Sequence, residues 1–106
     1  MMIATSPAIA GRKIVTTLGV VRGNTIRARH VGRDILAGLR MLVGGEISDY
    51  TKMMAEAREQ SLDRMTAEAG QLGANAIVDV RFSTSYIMTG AAEILVYGTA
   101  VVIEEA

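Results

Sequence analysis

The sequence has no cysteine and no tryptophan, and only one proline, one histidine and one phenylalanine. Without cysteine there is no disulfide, no thiolate metal ligand and no cysteine nucleophile. With His30 alone, a His-centred catalytic triad or a multi-histidine metal site lacks partners. Net charge is also missing, since 11 basic residues balance 11 acidic ones. A neutral chain lacks the basic surplus of a nucleic-acid binder. No apolar run approaches the roughly 18 residues of a membrane span. The opening MMIATSPAIAG carries no basic region ahead of an apolar stretch, so a secretory signal is not expected and cytoplasmic residence is the default.

What is present is apolar and aliphatic. Half of the 106 residues are hydrophobic, which excludes general disorder. The length fits a single domain over residues 1–106. Phe82, Tyr50, Tyr86 and Tyr97 are the only aromatics. Leu, Ile, Val, Ala and seven flexible methionines must fill the remaining core.

Charge is balanced in sum but not along the chain. Residues 12–40 hold seven arginines and lysines against Asp34 alone. Residues 41–79 hold Lys52, Arg58 and Arg64 against seven acids, among them Glu56, Glu59, Asp63 and Glu68. Such asymmetry can be satisfied within the fold, between subunits, or by a bound anion.

Periodicity orders the elements. Residues 1–5 read as a short extended segment, stopped by Pro7. Residues 13–22, KIVTTLGVVR, are β-branched and apolar on both faces, Ile14, Thr16, Leu18 and Val20 against Val15, Thr17 and Val21. Gly23-Asn24 is either a two-residue hairpin or a kink inside one longer strand. Beyond it, Ile26, Ala28 and His30 alternate with Arg27 and Arg29. Residues 33–43 form a short helix on the stripe Ile35, Leu36, Leu39, Leu42 and Val43, ended by Gly44-Gly45. A longer helix starts at Ser48 as N-cap and ends at Gly73. Tyr50, Met54, Ala57, Ser61, Met65, Ala69 and Leu72 form its narrow face of small residues, suited to close approach to a sheet. Residues 75–88 alternate with Ala76, Val78, Val80, Phe82 and Tyr86 inward. After a turn at Thr89-Gly90, residues 92–103 place Ile94, Val96, Ala100 and Val102 on one face and Leu95, Tyr97, Val101 and Ile103 on the other. The reading is α+β, an antiparallel sheet with a short and a long helix on one face. The order is β-α-α-β-β if the Gly23 strand is continuous, and β-β-α-α-β-β if it is not.

Two constellations carry chemistry. Arg27, Arg29 and Arg33 cluster before a helix start at Gly32, an arrangement suited to phosphate or carboxylate. The frame matches neither a Walker nor a dinucleotide motif. His30 with Asp34, joined by Glu46 or Asp49, could hold a borderline divalent ion, though without thiolates it would not select a soft one. Gly44-Gly45-Glu46 reads as a turn, and Ser6, Ser83 and Ser85 lack a paired base, so no catalytic residues are assigned.

The runs LGVVRGNTIRARHVGRDILAGLR, LVGGEISDYTKMMAEAREQSLDRM, LGANAIVDVRFSTS and AAEILVYGTAVV resemble the YbjQ family of small bacterial and archaeal proteins. The resemblance spans about residues 3–103. It implies a dodecin-like α+β subunit, β-α-α-β-β, assembling into rings of five, and a heavy-metal-binding role with a divalent ion as cofactor. It brings no ligand motif that maps onto particular residues. The function expected is therefore a non-enzymatic homo-oligomer, a pentamer or a decamer, with a metal or small ligand between subunits. A structural or interaction module is the alternative, and an enzyme acting on an anionic substrate is a third. The partner is a second copy of the chain, with neither nucleic acid nor membrane involved.

Overall fold

The computed structural model describes residues 1–28 and 46–106, with side chains described outside 46–50. Strands β1 (Met2–Ile3) and β2 (Arg12–Ala28) precede one helix, α1 (Glu46–Gln71). Strands β3 (Ala76–Met88) and β4 (Ala91–Glu105) follow. The sheet order is β1-β3-β4-β2. The sheet is mixed, because β1 runs parallel to β3 while β2 and β3 run antiparallel to β4. The expectation of an all-antiparallel sheet is thus corrected. A two-residue strand at the chain start adds to the β3 edge, and Ala4 and Ser6 extend its backbone bonding as far as Val80. The short helix expected over 33–43 and its Gly44-Gly45 turn lie outside the described residues. The β-α-α-β-β order is therefore seen with one helix only.

β2 passes through Gly23 as one continuous strand, so the hairpin alternative falls. Its irregularities lie earlier, between Ile14 and Thr16 and between Thr17 and Gly19, where β2 carries an extra residue against β4. Each bulge moves the following side chains to the opposite face. Strict alternation over residues 13–22 therefore misleads. Leu18, expected on one face with Val20, packs against the helix-side core, while Val20 is 70% exposed.

A bulge between Val78 and Arg81 acts likewise on β3. Asp79 sits there at φ 55, a left-handed conformation that Asp tolerates better than most residues. Ala76 and Val78 consequently pack with Val101, Ile103 and Ile9 on the face away from the helix. Ile77 and Val80 pack on the helix side with Val21, Met65, Ala69, Val96 and Ala100. The single inward row expected for Ala76, Val78 and Val80 is split between two cores. On β4, Ile94, Val96 and Ala100 lie toward the helix as expected.

Helix α1 begins at Glu46, so Ser48 stands inside the first turn and is not the cap. Its end follows expectation. Gly73, at φ 86, donates to the Gly70 carbonyl, and the Ala74 amide donates to Ala69. This pair of bonds is the Schellman motif, which uses glycine's access to the left-handed region. The buried helix face is Ala57, Ser61, Met65 and Ala69, while Leu72 is 48% exposed. Gly23 lets this face approach. A Cβ built there would strike the Ser61 carbonyl oxygen and lie 2.6 Å from the Met65 nitrogen. Small residues on the helix and glycine on the strand together bring the two backbones close.

Candidate functional site

The second half of β2 and the middle of α1 bring polar groups together. In register, Gly23, Thr25 and Arg27 oppose Val96, Ile94 and Ala92 of β4, on the face that the helix covers. Thr25 and Ser61 are the two buried polar residues of the described chain. Ser61 Oγ lies 2.9 Å from Thr25 Oγ1, 2.9 Å from the Ala57 carbonyl and 3.1 Å from the Ile94 carbonyl. One hydroxyl proton cannot serve all of these at once, so Thr25 can donate to Ser61 while Ser61 donates to a carbonyl. Every buried side-chain polar atom among the described residues has a partner. This node ties β2, α1 and β4 together, and it contains no base to activate a serine.

At its rim, half-buried Arg27 donates from Nη2 to Gln60 Oε1 at 2.6 Å. Arg64 donates from Nη1 to the Asn24 carbonyl at 2.6 Å. Asn24 Nδ2 donates to Glu93 Oε2 at 3.3 Å. Two guanidinium groups thus flank the β2–α1 seam, each anchored to a neutral oxygen acceptor. That anchoring fixes the orientation of each guanidinium at the seam.

Of the anion candidates, only Arg27 falls within the described residues. Arg29 and Arg33 lie outside them, as do the metal candidates His30 and Asp34. The side chains of Glu46 and Asp49 are likewise outside. Among the described residues no group of three or more His, Asp or Glu is placed to hold a metal ion. Glu56, Glu59 and Asp63 are exposed on the helix. Ser83 and Ser85 stand exposed on β3, and Ser6 Oγ donates to the Ala8 carbonyl.

Sequence reasoning missed Asn75. Its side chain donates from Nδ2 to the Ile103 carbonyl (2.9 Å) and accepts from the Ile103 amide (2.7 Å). An asparagine at the head of a strand, after a helix-ending glycine, is the available signal, because its amide copies a backbone unit.

Among the described residues the fold is α+β, one helix on one face of a four-stranded mixed sheet. No helix among those residues is long and apolar enough to cross a membrane. The chain belongs to the YbjQ family, whose model, described as "putative heavy-metal-binding", matches residues 1–104. It is 57% identical over 104 residues to a UPF0145 protein of Dehalococcoides mccartyi, covering 98% of this chain and 100% of the relative. A UPF0145 protein of Methanosarcina acetivorans is 57% identical over 101 residues, covering 95% of each chain. One from Thermus thermophilus is 53% identical over 106 residues, covering 100% of this chain and 93% of the relative. A crystal structure of a protein of unknown function from Pediococcus pentosaceus, of the DUF74 family, superimposes with a TM-score of 0.69. It covers 98% of both chains at 19% identity, and so supports the fold alone.

Proposed function

We propose that this protein is a non-enzymatic, cytoplasmic homo-oligomer that holds a small anionic ligand or a divalent metal between subunits. The observation that carries the assembly is the elongated shape of the described residues. Their radius of gyration is 17.6 Å and their extents are 56 × 22 × 16 Å. A compact domain of this length has a radius of about 13 Å. A body so long and thin leaves much apolar surface in water. Val20, Ile26 and Tyr97, all on the helix-free side of the sheet, are 70, 58 and 41% exposed. Part of that side needs no partner, since Val101 and Ile103 are covered there by Ile9 and β3. Exposed apolar residues gathered on one face are the kind of surface that a second subunit covers. A ring of five is the assembly that the family resemblance implies.

Light scattering at micromolar concentration tests the assembly. A mass several times 11.3 kDa is expected, and a mass near 11.3 kDa overturns it. For the ligand, two measurements apply. Metal analysis of protein purified without a histidine tag, repeated with His30→Ala, tests the metal. Retained metal that is lost in the variant supports it, and affinity for zinc or copper unchanged by His30→Ala removes His30 from the role. Replacing Arg27 and Arg29 together with Gln should abolish any rise in melting temperature given by phosphate. An unchanged rise refutes the arginine site.

A further inference from the structure

We infer that the helix-free face of the sheet carries a site for a single nucleotide, with the base lying on Tyr97, the phosphate held by Arg22 and Arg81 flanking the other side. This rests on the small-anion reading above, and gives it a ligand class and a place apart from Arg27 and Arg29.

Tyr97 stands on β4, between β2 and β3. In register it opposes Arg22 of β2 on one side and Arg81 of β3 on the other. All three are exposed, and directly opposed residues project from the same face. That face is the helix-free one, because the chain neighbours Val96, Val21 and Val80 fill the helix-side core. Strands about 4.8 Å apart put the two arginine Cα atoms about 10 Å from each other, with the ring between them. The rows on either side, through Thr99 and Leu95, hold no charged residue. The nearest carboxylate in register on this face is Glu93, two rows away, where it accepts from Asn24 Nδ2. Arg81 Nη1 donates to the Thr5 and Val80 carbonyls, at 2.8 and 2.9 Å. Backbone oxygens thus hold this guanidinium, and Asp79, two residues before it, does not.

Two guanidinium groups alone suit phosphate or carboxylate. The ring between them adds a flat surface on which a nucleobase stacks, so the row favours an anion that also carries an aromatic ring. Asn24 and Ser83, both exposed in the Leu95 row, supply an amide and a hydroxyl for bonds to the sugar or the base edge. A nucleotide's phosphate lies to one side of its base, so a base over Tyr97 brings it within reach of Arg22, whose strand is the one away from the Thr5 anchor of Arg81. A nucleic-acid strand fits less well. It needs a succession of stacking rings and a basic surplus, and Phe82 and Tyr86 stand on the helix side of β3, opposite Val96 and Ala92. Where a second copy lies over this face, the row becomes the floor of a site between subunits.

Adenosine 5′-monophosphate (AMP) and inorganic phosphate are the probes, each read by the shift in Tm of the full chain. AMP should raise Tm more than phosphate does, and Arg22→Gln should remove the rise. Tyr97→Leu should weaken AMP about tenfold in a titration and leave any effect of phosphate unchanged, whereas Tyr97→Phe keeps AMP binding. An AMP rise no larger than that of phosphate, or unchanged in Tyr97→Leu, overturns the nucleotide and leaves the small-anion reading standing. An AMP rise that survives Arg22→Gln and is lost when Arg27 and Arg29 are both replaced by Gln puts the anion at those arginines and overturns this site. A short single-stranded oligonucleotide that binds more tightly than AMP makes the ligand a strand and overturns the single nucleotide. No rise with either probe overturns both this site and the small-anion reading.

Discussion

Replacing Gly23 with alanine should separate the helix from the sheet. A Cβ at this position would overlap the Ser61 carbonyl oxygen, lie 2.6 Å from the Met65 nitrogen and lie 3.0 Å from Arg64 Cβ. Ordinary contact begins near 3.4 Å. Two of the three obstacles are helix backbone, so no rotamer change relieves them and α1 must retreat by about an ångström or more. That retreat loosens Ser61 from Thr25 and the Ile94 carbonyl, and it thins the Met65–Val21 packing. Overpacking of this kind costs about 1–3 kcal/mol, and the loss of the buried hydroxyl contacts puts this case at the upper end. For a domain of this size each kcal/mol moves Tm by roughly 4–8 °C, so a fall of more than about 10 °C is expected. Circular dichroism melts at one fixed chain concentration read it, because association itself raises Tm. Gly70→Ala is the control. Nothing lies within 4 Å of a Cβ there, and the gain in helix propensity raises stability by up to about 1 kcal/mol. A Gly23→Ala protein that melts with the wild type, while Gly70→Ala rises, would refute the close-approach argument.

Ser61→Ala should cost about 1–3 kcal/mol by leaving Thr25 Oγ1 buried without its partner; urea denaturation checks it, and an unchanged midpoint would show the node to be idle. Asn75→Ala removes both side-chain bonds to Ile103 and should lower stability by about 1–2 kcal/mol. Faster hydrogen exchange of the Ile103 amide would locate that loss, and unchanged exchange would contradict it. Asp79→Gly should leave Tm unchanged or raise it slightly, because φ 55 suits glycine. Asp79→Val should lower stability by about 1–3 kcal/mol, since a β-branched residue resists that conformation; equal melts for the two variants would argue against a strained bulge.

The sequence alone determined the class, the type of the long elements, and several ends. Local rules decide these, and they need no knowledge of the fold. Gly73 stops α1 because its donors and its φ serve neighbours within one turn. The face Ala57, Ser61, Met65 and Ala69 follows from a period of 3.6 residues. The alternation of β4 survives because that strand is central and lies between two strands along most of its length. The candidate site was legible only as residue types: arginines before a glycine, and one histidine among acids. Of these, the described structure places Arg27 against Gln60.

Tertiary structure decided the rest. The bulges on β2 separate Leu18, against the helix-side core, from Val20, and the bulge on β3 splits Ala76 and Val78 from Val80. A bulge arises from the mismatch between two paired strands, so neither strand's own periodicity contains it. The parallel addition of Met2–Ile3 to β3 joins residues more than seventy positions apart. The role of Gly23 likewise depends on which helix turn lies above it. A hairpin turn and a close-approach site call for the same residue, glycine, and only the position of Ser61 and Met65 over it separates the two.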